Sequence, residues 1–197
     1  MTTRVTLLCH ASTSAVRTSA FPADEELDTQ GRQKLNGLSH HLRHRDRCVT
    51  SPTRRTTQTA VALGLEATVE PMLRDCDYGR WTGRSFDDVQ AQEPEALADW
   101  IKDPSAAPHG GESVVALIAR VSAWLDTQLT RPGGILAVTH ASVIRAAIVS
   151  ALEAEARSFW HIDIAPLSLT QLSGNGGRWT LVSMSSGKAD WRDDGFG

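Results

Sequence analysis

Three short apolar runs, beginning near Val5, Val49 and Ile135, are each followed by a segment whose apolar residues recur at helical spacing. Parallel strands need long crossover connections, and helices are the usual ones, so this alternation predicts an α/β fold. The expected architecture is a three-layer sandwich, a mostly parallel central sheet with helices on both faces. After the first run comes a long loop with Pro22, then a helix from about Thr29 with Leu35, Leu38 and Leu42 on one stripe. After the second, Ser51-Pro52 breaks the chain and Gln58, Ala60, Val61 and Leu63 fall in a helix. The third run ends at Thr139-His140, with a helix over Val143 to Leu152.

The stretch from residue 71 to 112 is polar and rich in Pro, Asp and Gly, and it is expected to form loops and short helices resembling a cap. A helix from Glu112 to Leu129 closes it. Two β-like runs, Leu167 to Leu172 and Trp179 to Met184, flank Gly174-Asn175-Gly176-Gly177 and predict a terminal hairpin. Residues 188 to 197 read as a loose tail. At 197 residues and 41% hydrophobic, residues 1 to 197 are expected to be one domain around one substantial core.

A net charge of −3 offers no global basic field for nucleic acid or an acidic membrane surface, so a small solute is the expected partner. The run Val5-Thr6-Leu7-Leu8-Cys9 is too short to span a bilayer and lacks the layout of a secretion signal. Cys9, Cys48 and Cys76 are odd in number and scattered, which argues against a disulfide framework or zinc knuckle and for reduced thiols. A cytoplasmic location is expected.

The polar exceptions carry the chemistry. His10 and His140 each directly follow an apolar strand, and Ser51-Pro52 with Arg54 and Arg55 follows the remaining one. Open parallel sheets bind ligands in the crevice at their carboxyl edge, beside helix N-termini whose free N–H groups suit a phosphate. Phosphoryl transfer needs a nucleophile in line with the leaving oxygen, positive groups around the equatorial oxygens, and an acid for the departing alcohol. Two histidines and an arginine converging there can supply much of this.

The segments LLCHAST, SPTRRTTQTA, LRDCDYGRWTG, GGES and VTHASVIRA occur in the order found in the histidine phosphatase (phosphoglycerate mutase-like) superfamily, and the chain resembles that family over residues 4 to 172. The family's Arg-His-Gly triplet reads Cys9-His10-Ala11 here. The S-P-x-x-R-x-x-Q-T-A motif puts the phosphate-binding arginine on Arg55 rather than Arg54. The L-x-E-x-x-x-G-x-W-x-G pattern aligns the acid with Asp75, aspartate replacing glutamate, and the glycines with Gly79 and Gly83. The resemblance implies that His10 attacks, that Arg55 and His140 clamp the phosphoryl group, and that Asp75 donates and then accepts a proton. Cys9, Ala11, Arg17, Ser51, Trp81 and Ala141 are expected to line the substrate site. Neither metal nor cofactor is implied, and the substrate class is a small phosphorylated metabolite. Phosphoglycerate mutases are usually longer through the middle region, which favours a phosphatase.

Competing readings are weaker. Cys9 and His10 cannot form a dyad, because successive strand side chains point to opposite faces. Ser12, Ser14 and Ser142 have histidines nearby, but no G-x-S-x-G elbow is present. His40 and His44, among His41, Arg43, Arg45 and Arg47, suit a solvated basic helix end better than a metal or nucleic-acid site. One rival from another class stands: a weakened member that binds a phosphorylated ligand or protein partner, motivated by the changes at positions 9, 11 and 75. Arg17, seven residues past His10, is the nearest candidate to replace the missing first-motif arginine.

Overall fold

A computed structural model of the chain describes residues 2–36 and 46–185. The histidine-rich segment around His40 and His44, the helical positions Leu38 and Leu42, and the tail at 188 to 197 lie outside the described residues.

The strands are β1 (Thr3–Cys9), β2 (Arg47–Thr50), β3 (Thr68–Val69), β4 (Gly133–Thr139), β5 (Leu169–Asn175) and β6 (Arg178–Ser185). They form one sheet in the order β3-β2-β4-β1-β5-β6. The first four run parallel, and β5 and β6 join antiparallel. Strands β1 and β4 sit at the centre and read as continuous apolar runs because both of their faces are covered. Val5, Leu7, Cys9, Ile135 and Ala137 face α6 (Val114–Leu129) and α7 (Ala141–Ala151). Leu8, Leu136 and Val138 pack with Leu35 of α2 (Thr29–Leu35) and Ala60 of α3 (Arg54–Ala62). The predicted three-layer α/β sandwich is the observed fold.

The one-turn helix α1 (Ser14–Arg17) interrupts the loop after β1, and β3 is a two-residue strand with both side chains exposed; neither carried a sequence signal. The hairpin is tighter than predicted. Only Gly176 and Gly177, with φ of +59° and +80°, form the turn, so β5 runs through Asn175. Its start moves from Leu167 to Leu169, because Leu167 sits at φ +64°, outside strand geometry.

The middle stretch folds as two 3₁₀ turns, Pro71–Leu73 and Gly79–Trp81, and two short helices, α4 (Phe86–Gln92) and α5 (Pro94–Lys102). These carry their own apolar cluster of Phe21, Trp81, Val89, Leu97 and Trp100. Phe21 belongs to the loop after α1 and is tied to this segment through backbone bonds with Gly83 and Arg84. The segment returns where Gly79 and Gly111 cross. A Cβ on Gly111 would lie 2.1 Å from the Asp77 carbonyl oxygen, so only glycine admits the crossing.

Register fixes the functional edge. Cys9 pairs with Thr139 and Thr50 with Val138, so β1, β4 and β2 end at one level. The next residues, His10, His140 and Ser51, therefore leave the sheet side by side.

Candidate active site

His10 follows β1 in a backbone bond to the Thr139 carbonyl (2.9 Å). Its Nδ1 lies 2.8 Å from the Ala11 carbonyl oxygen. A carbonyl only accepts, so Nδ1 carries the proton and Nε2 keeps its lone pair. Burial, with the Arg55 charge adding to it, pulls the His10 pKa down to about 4, which leaves the ring neutral near pH 7. The His10 and His140 rings lie edge to face with centroids 5.3 Å apart.

His140 precedes α7, whose first turn has no side-chain cap. Its Nε2 is 2.7 Å from Ser51 Oγ, and its Nδ1 lies 3.3 Å from Asp75 Oδ2, outside hydrogen-bond geometry. The carboxylate neighbour makes Nδ1 the protonated nitrogen, so Ser51 donates to Nε2. Burial holds the His140 pKa well below its usual value, so this ring too is neutral at rest and offers a donor rather than a full charge.

Arg55, at the start of α3, is the positive charge of the site and is only 1% exposed. Its guanidinium bonds Asp75 Oδ2 at 2.6 Å and the Ala23 carbonyl at 2.5 Å, with Glu25 3.9 Å away. Its Nε is buried without a hydrogen-bond partner among the described residues. Arg54 points outward and pairs with Glu26, as the motif spacing predicts.

Asp75 reaches the site from the loop after the first 3₁₀ turn, its side chain 13% exposed. Oδ2 faces Arg55 and His140, whereas Oδ1 accepts from the Cys76 N–H (2.8 Å) and, at close range, from the Ser142 hydroxyl. Burial alone would raise its pKa, but the Nδ1–H of His140 facing Oδ2, the Arg55 charge and the Ser142 hydrogen bond together hold it far below the carboxylate range. Asp77 is turned away and accepts from the Gly79 N–H.

Among the other predicted residues, Ser51 is in direct contact with His140. Ala11 contributes backbone only: its carbonyl meets His10, its N–H meets Thr59 Oγ1 at 3.1 Å, and its methyl is buried in the core. Ala141 is half-exposed at the first position of α7. The Cys9 thiol is buried in the α6/α7-side core, and burial, reinforced by Asp75, pushes its pKa up to about 12, so it stays protonated. Arg17, the last residue of α1, is half-exposed and paired with Asp28 at 2.9 Å; Asp28 in turn accepts from Ser12, so the charge of the arginine is already engaged.

Trp81 requires correction. It is completely buried in the cluster with Phe21 and Trp100, and its indole N–H donates to Glu93, so it packs the 71–112 segment rather than lining a substrate pocket. An aromatic beside a motif glycine gives no indication of which way it faces. The sequence drew attention to Ser142 only as a serine near a histidine and gave no sign of its bond to Asp75, nor of Thr59 or the Arg120–Glu112 pair. Arg120 on α6 grips Glu112 through both oxygens (2.8 and 2.7 Å) and reaches the carbonyls of Met72, Arg74 and Asp75, which fixes the backbone that carries Asp75. A glutamate eight residues before an arginine, in GGES, was the one available signal.

No three or more His, Cys, Asp or Glu side chains are arranged to hold a metal among the described residues. No described helix is long and apolar enough to cross a membrane.

The family model described as the histidine phosphatase superfamily (branch 1) matches residues 5–187. A bifunctional protein of Mycobacterium tuberculosis is 30% identical over 187 residues, an alignment covering 88% of this chain and 51% of that protein. The chain thus spans about half the length of the first curated relatives it matches. Phosphoserine phosphatase 1 of Hydrogenobacter thermophilus is 28% identical over 146 residues, covering 70% of this chain and 69% of that one. Among solved structures, a mycobacterial glucosyl-3-phosphoglycerate phosphatase complexed with VO3 superposes with a TM-score of 0.81 at 29% identity, covering 91% of this chain and 96% of that one.

Proposed function

The chain belongs to the histidine phosphatase superfamily, and from that membership we propose that it hydrolyses a small phosphomonoester through a phosphohistidine on His10. The observation that carries this reading is the His10 Nδ1 bond to the Ala11 carbonyl, which leaves a buried, neutral imidazole with its Nε2 lone pair free beside Arg55 and His140. The relatives named as phosphatases of phosphoserine and of glucosyl-3-phosphoglycerate support a phosphorylated metabolite as substrate. The three cysteines are free thiols, in keeping with a reducing compartment such as the cytoplasm.

In this mechanism Nε2 of His10 forms the bond to phosphorus as the bond to the leaving oxygen breaks, and Asp75 gives that oxygen its proton. Water then attacks the phosphohistidine, its proton passes to Asp75, the P–N bond breaks, and inorganic phosphate departs. Arg55 supplies charge to the equatorial oxygens, and His140 donates through Nδ1. Asp75 must be protonated for the first step, yet it is ionised in the structure. The phosphoryl dianion resolves this: once Arg55 and His140 turn to it, Asp75 Oδ2 loses both partners and gains an anionic neighbour, each of which raises its proton affinity. The segment from 71 to 112 acts as a cap, and Asp75 is the residue through which it meets the chemistry.

The same Arg55–Asp75 pair is what favours the second reading, a member that binds phosphorylated ligands without turnover, since a permanently ionised Asp75 cannot act as an acid. Incubating the protein with a panel of phosphorylated metabolites, with phosphate release as readout and His10→Ala as control, separates the two. Turnover lost in His10→Ala, with acid-labile phosphate on the His10 peptide, is the expected result. Label on another residue, or release unaffected by His10→Ala, overturns the mechanism.

A further inference from the structure

We propose that Ser142 is a positioning residue of this site, whose hydroxyl fixes Oδ1 of Asp75 as a permanent acceptor and so confines the transferable proton to Oδ2. The inference rests on the reading of Asp75 as the proton donor. It starts from an asymmetry: Oδ1 is held by two donors that a phosphoryl group has no reason to displace, the Ser142 hydroxyl and the Cys76 N–H, while Oδ2 faces Arg55 and His140.

A serine in the first turn of a helix ordinarily bonds that helix's own backbone. Ser142 is the second residue of α7 and is buried, yet its hydrogen bond goes across the site to a carboxylate 67 positions away in sequence. Since an ionised carboxylate only accepts, the hydroxyl must donate. When Asp75 takes up a proton, Oδ1 still has two donors aimed at it and remains the carbonyl oxygen, so the proton resides on Oδ2. In the first half-reaction the Oδ2–H bond breaks and that proton goes to the leaving oxygen; in the second a proton from water restores it. A carboxyl held only by the Cys76 N–H could turn about its side-chain bond and present the wrong oxygen. The short aspartate makes this constraint matter more, because it has no spare torsion with which to recover its aim.

The charged and titratable groups around Asp75 are His10 after β1, Arg55 on α3, His140 at the start of α7 and Arg120 on α6, with the Cys9 and Cys76 thiols and the Tyr78 phenol, whose pKa values all lie raised. None of these is altered by changing Ser142, so a shift in the pH dependence of kcat on mutation reports on Asp75. The hydroxyl favours the ionised carboxylate, so its loss should raise the pKa of Asp75 and carry the high-pH limb of kcat upward.

The test compares kcat and KM for Ser142→Ala, Ser142→Thr, Asp75→Asn and the Ser142→Ala/Asp75→Asn double variant. The probes are glycerol 2-phosphate, a poor leaving group, and p-nitrophenyl phosphate, an activated one. Ser142→Ala should lower kcat on glycerol 2-phosphate by about ten-fold or more, the loss of one hydrogen bond to a charged group, with a smaller effect on the aryl ester. The high-pH limb of kcat should rise by about one pH unit. Ser142→Thr should restore both, and Ser142→Ala should add nothing to Asp75→Asn. Equal losses on both probes, an unmoved limb, or full additivity with Asp75→Asn would assign Ser142 a merely structural role. Selective slowing by Asp75→Asn with a silent Ser142→Ala removes this proposal alone, whereas equal slowing of both probes by Asp75→Asn removes the acid role on which it rests. If circular dichroism shows that Ser142→Ala is unfolded, Ser142→Cys, a similar shape with a weaker donor, gives the same comparison.

Discussion

Replacing Asp75 by asparagine tests the claim that Arg55 and phosphate compete for one partner. Arg55 is 1% exposed and bonds Asp75 Oδ2 at 2.6 Å, so the substitution leaves a buried cation facing a neutral amide. Asparagine has one oxygen where aspartate has two: turned toward Arg55, its amide nitrogen confronts the Cys76 N–H, and turned the other way it confronts the guanidinium. Breaking a buried pair by removing one partner costs about 3–5 kcal/mol. Arg55 keeps the Ala23 carbonyl at 2.5 Å and has Glu25 at 3.9 Å, which places the expected loss at the lower end, about 3 kcal/mol. At roughly 2–4 °C per kcal/mol for a chain of this size, Tm should fall by about 6–12 °C. The depressed pKa sets the pH window: the aspartate contributes above the ordinary carboxylate range and loses its contribution only as pH falls through the lowered folded-state value, so the gap between the proteins should be full at neutral pH and close only in strong acid. Phosphate should act in the opposite sense. It must displace Asp75 from Arg55 in the natural protein but meets no anionic rival in the variant, so it should bind the variant about ten-fold or more tightly and narrow the Tm gap as its concentration rises. Thermal scans with and without inorganic phosphate read both effects. A variant as stable as the natural protein without phosphate, or an equal phosphate-induced rise in both, would refute the idea that Asp75 holds the phosphate position.

Three further outcomes are expected. The nucleophile must be neutral, and the His10 pKa is near 4, so in an NMR titration of the free protein the His10 ring should take up a proton only as pH drops through about 4; protonation near 6.5 would mean that burial does not set its charge. With charge supplied by Arg55 and hydrogen bonds by His140, treatment with a chelator should leave turnover unchanged, and a loss restored by one divalent ion would identify a metallophosphatase instead. Arg17 is half-exposed and already paired with Asp28, so Arg17→Ala should cost no more than the ~1 kcal/mol of stability of a surface pair and leave kcat/KM nearly unchanged; a hundred-fold loss would mean that it swings in to replace the family's first-motif arginine.

What the sequence disclosed and what it hid divide along a physical line. Strands β1 and β4 were legible because both faces are buried, which forces unbroken apolar runs, and His10 and His140 stood out as the first polar residues after them. Ser51 and Arg55 were legible through the S-P-x-x-R-x-x-Q-T-A motif rather than through burial, since β2 is only partly buried, and the register of β2 against β4 brings that motif to the same edge. β3 was illegible because two exposed residues joined only to β2 need no apolar pattern at all.

The site divides in the same way. A residue that leaves a strand end keeps its position in the sheet wherever the rest of the chain goes, so its place can be read locally. The orientation of Trp81 depends on Phe21, from the loop after α1, and on Trp100 of α5, and no local pattern encodes it. Asp75 belongs to this second kind. Nothing within LRDCDYG separates it from Asp77 except the family alignment; what singles it out physically is the crossing at Gly79 and Gly111, the grip of Arg120 on its backbone, and the donors arriving from α3 and α7. An aspartate in place of glutamate therefore does not by itself decide whether the site turns over. A carboxylate one methylene shorter depends more on how its backbone and its inner oxygen are held, and here Arg120 grips the Asp75 carbonyl while the Ser142 hydroxyl and the Cys76 N–H hold Oδ1, leaving Oδ2 turned toward Arg55 and His140.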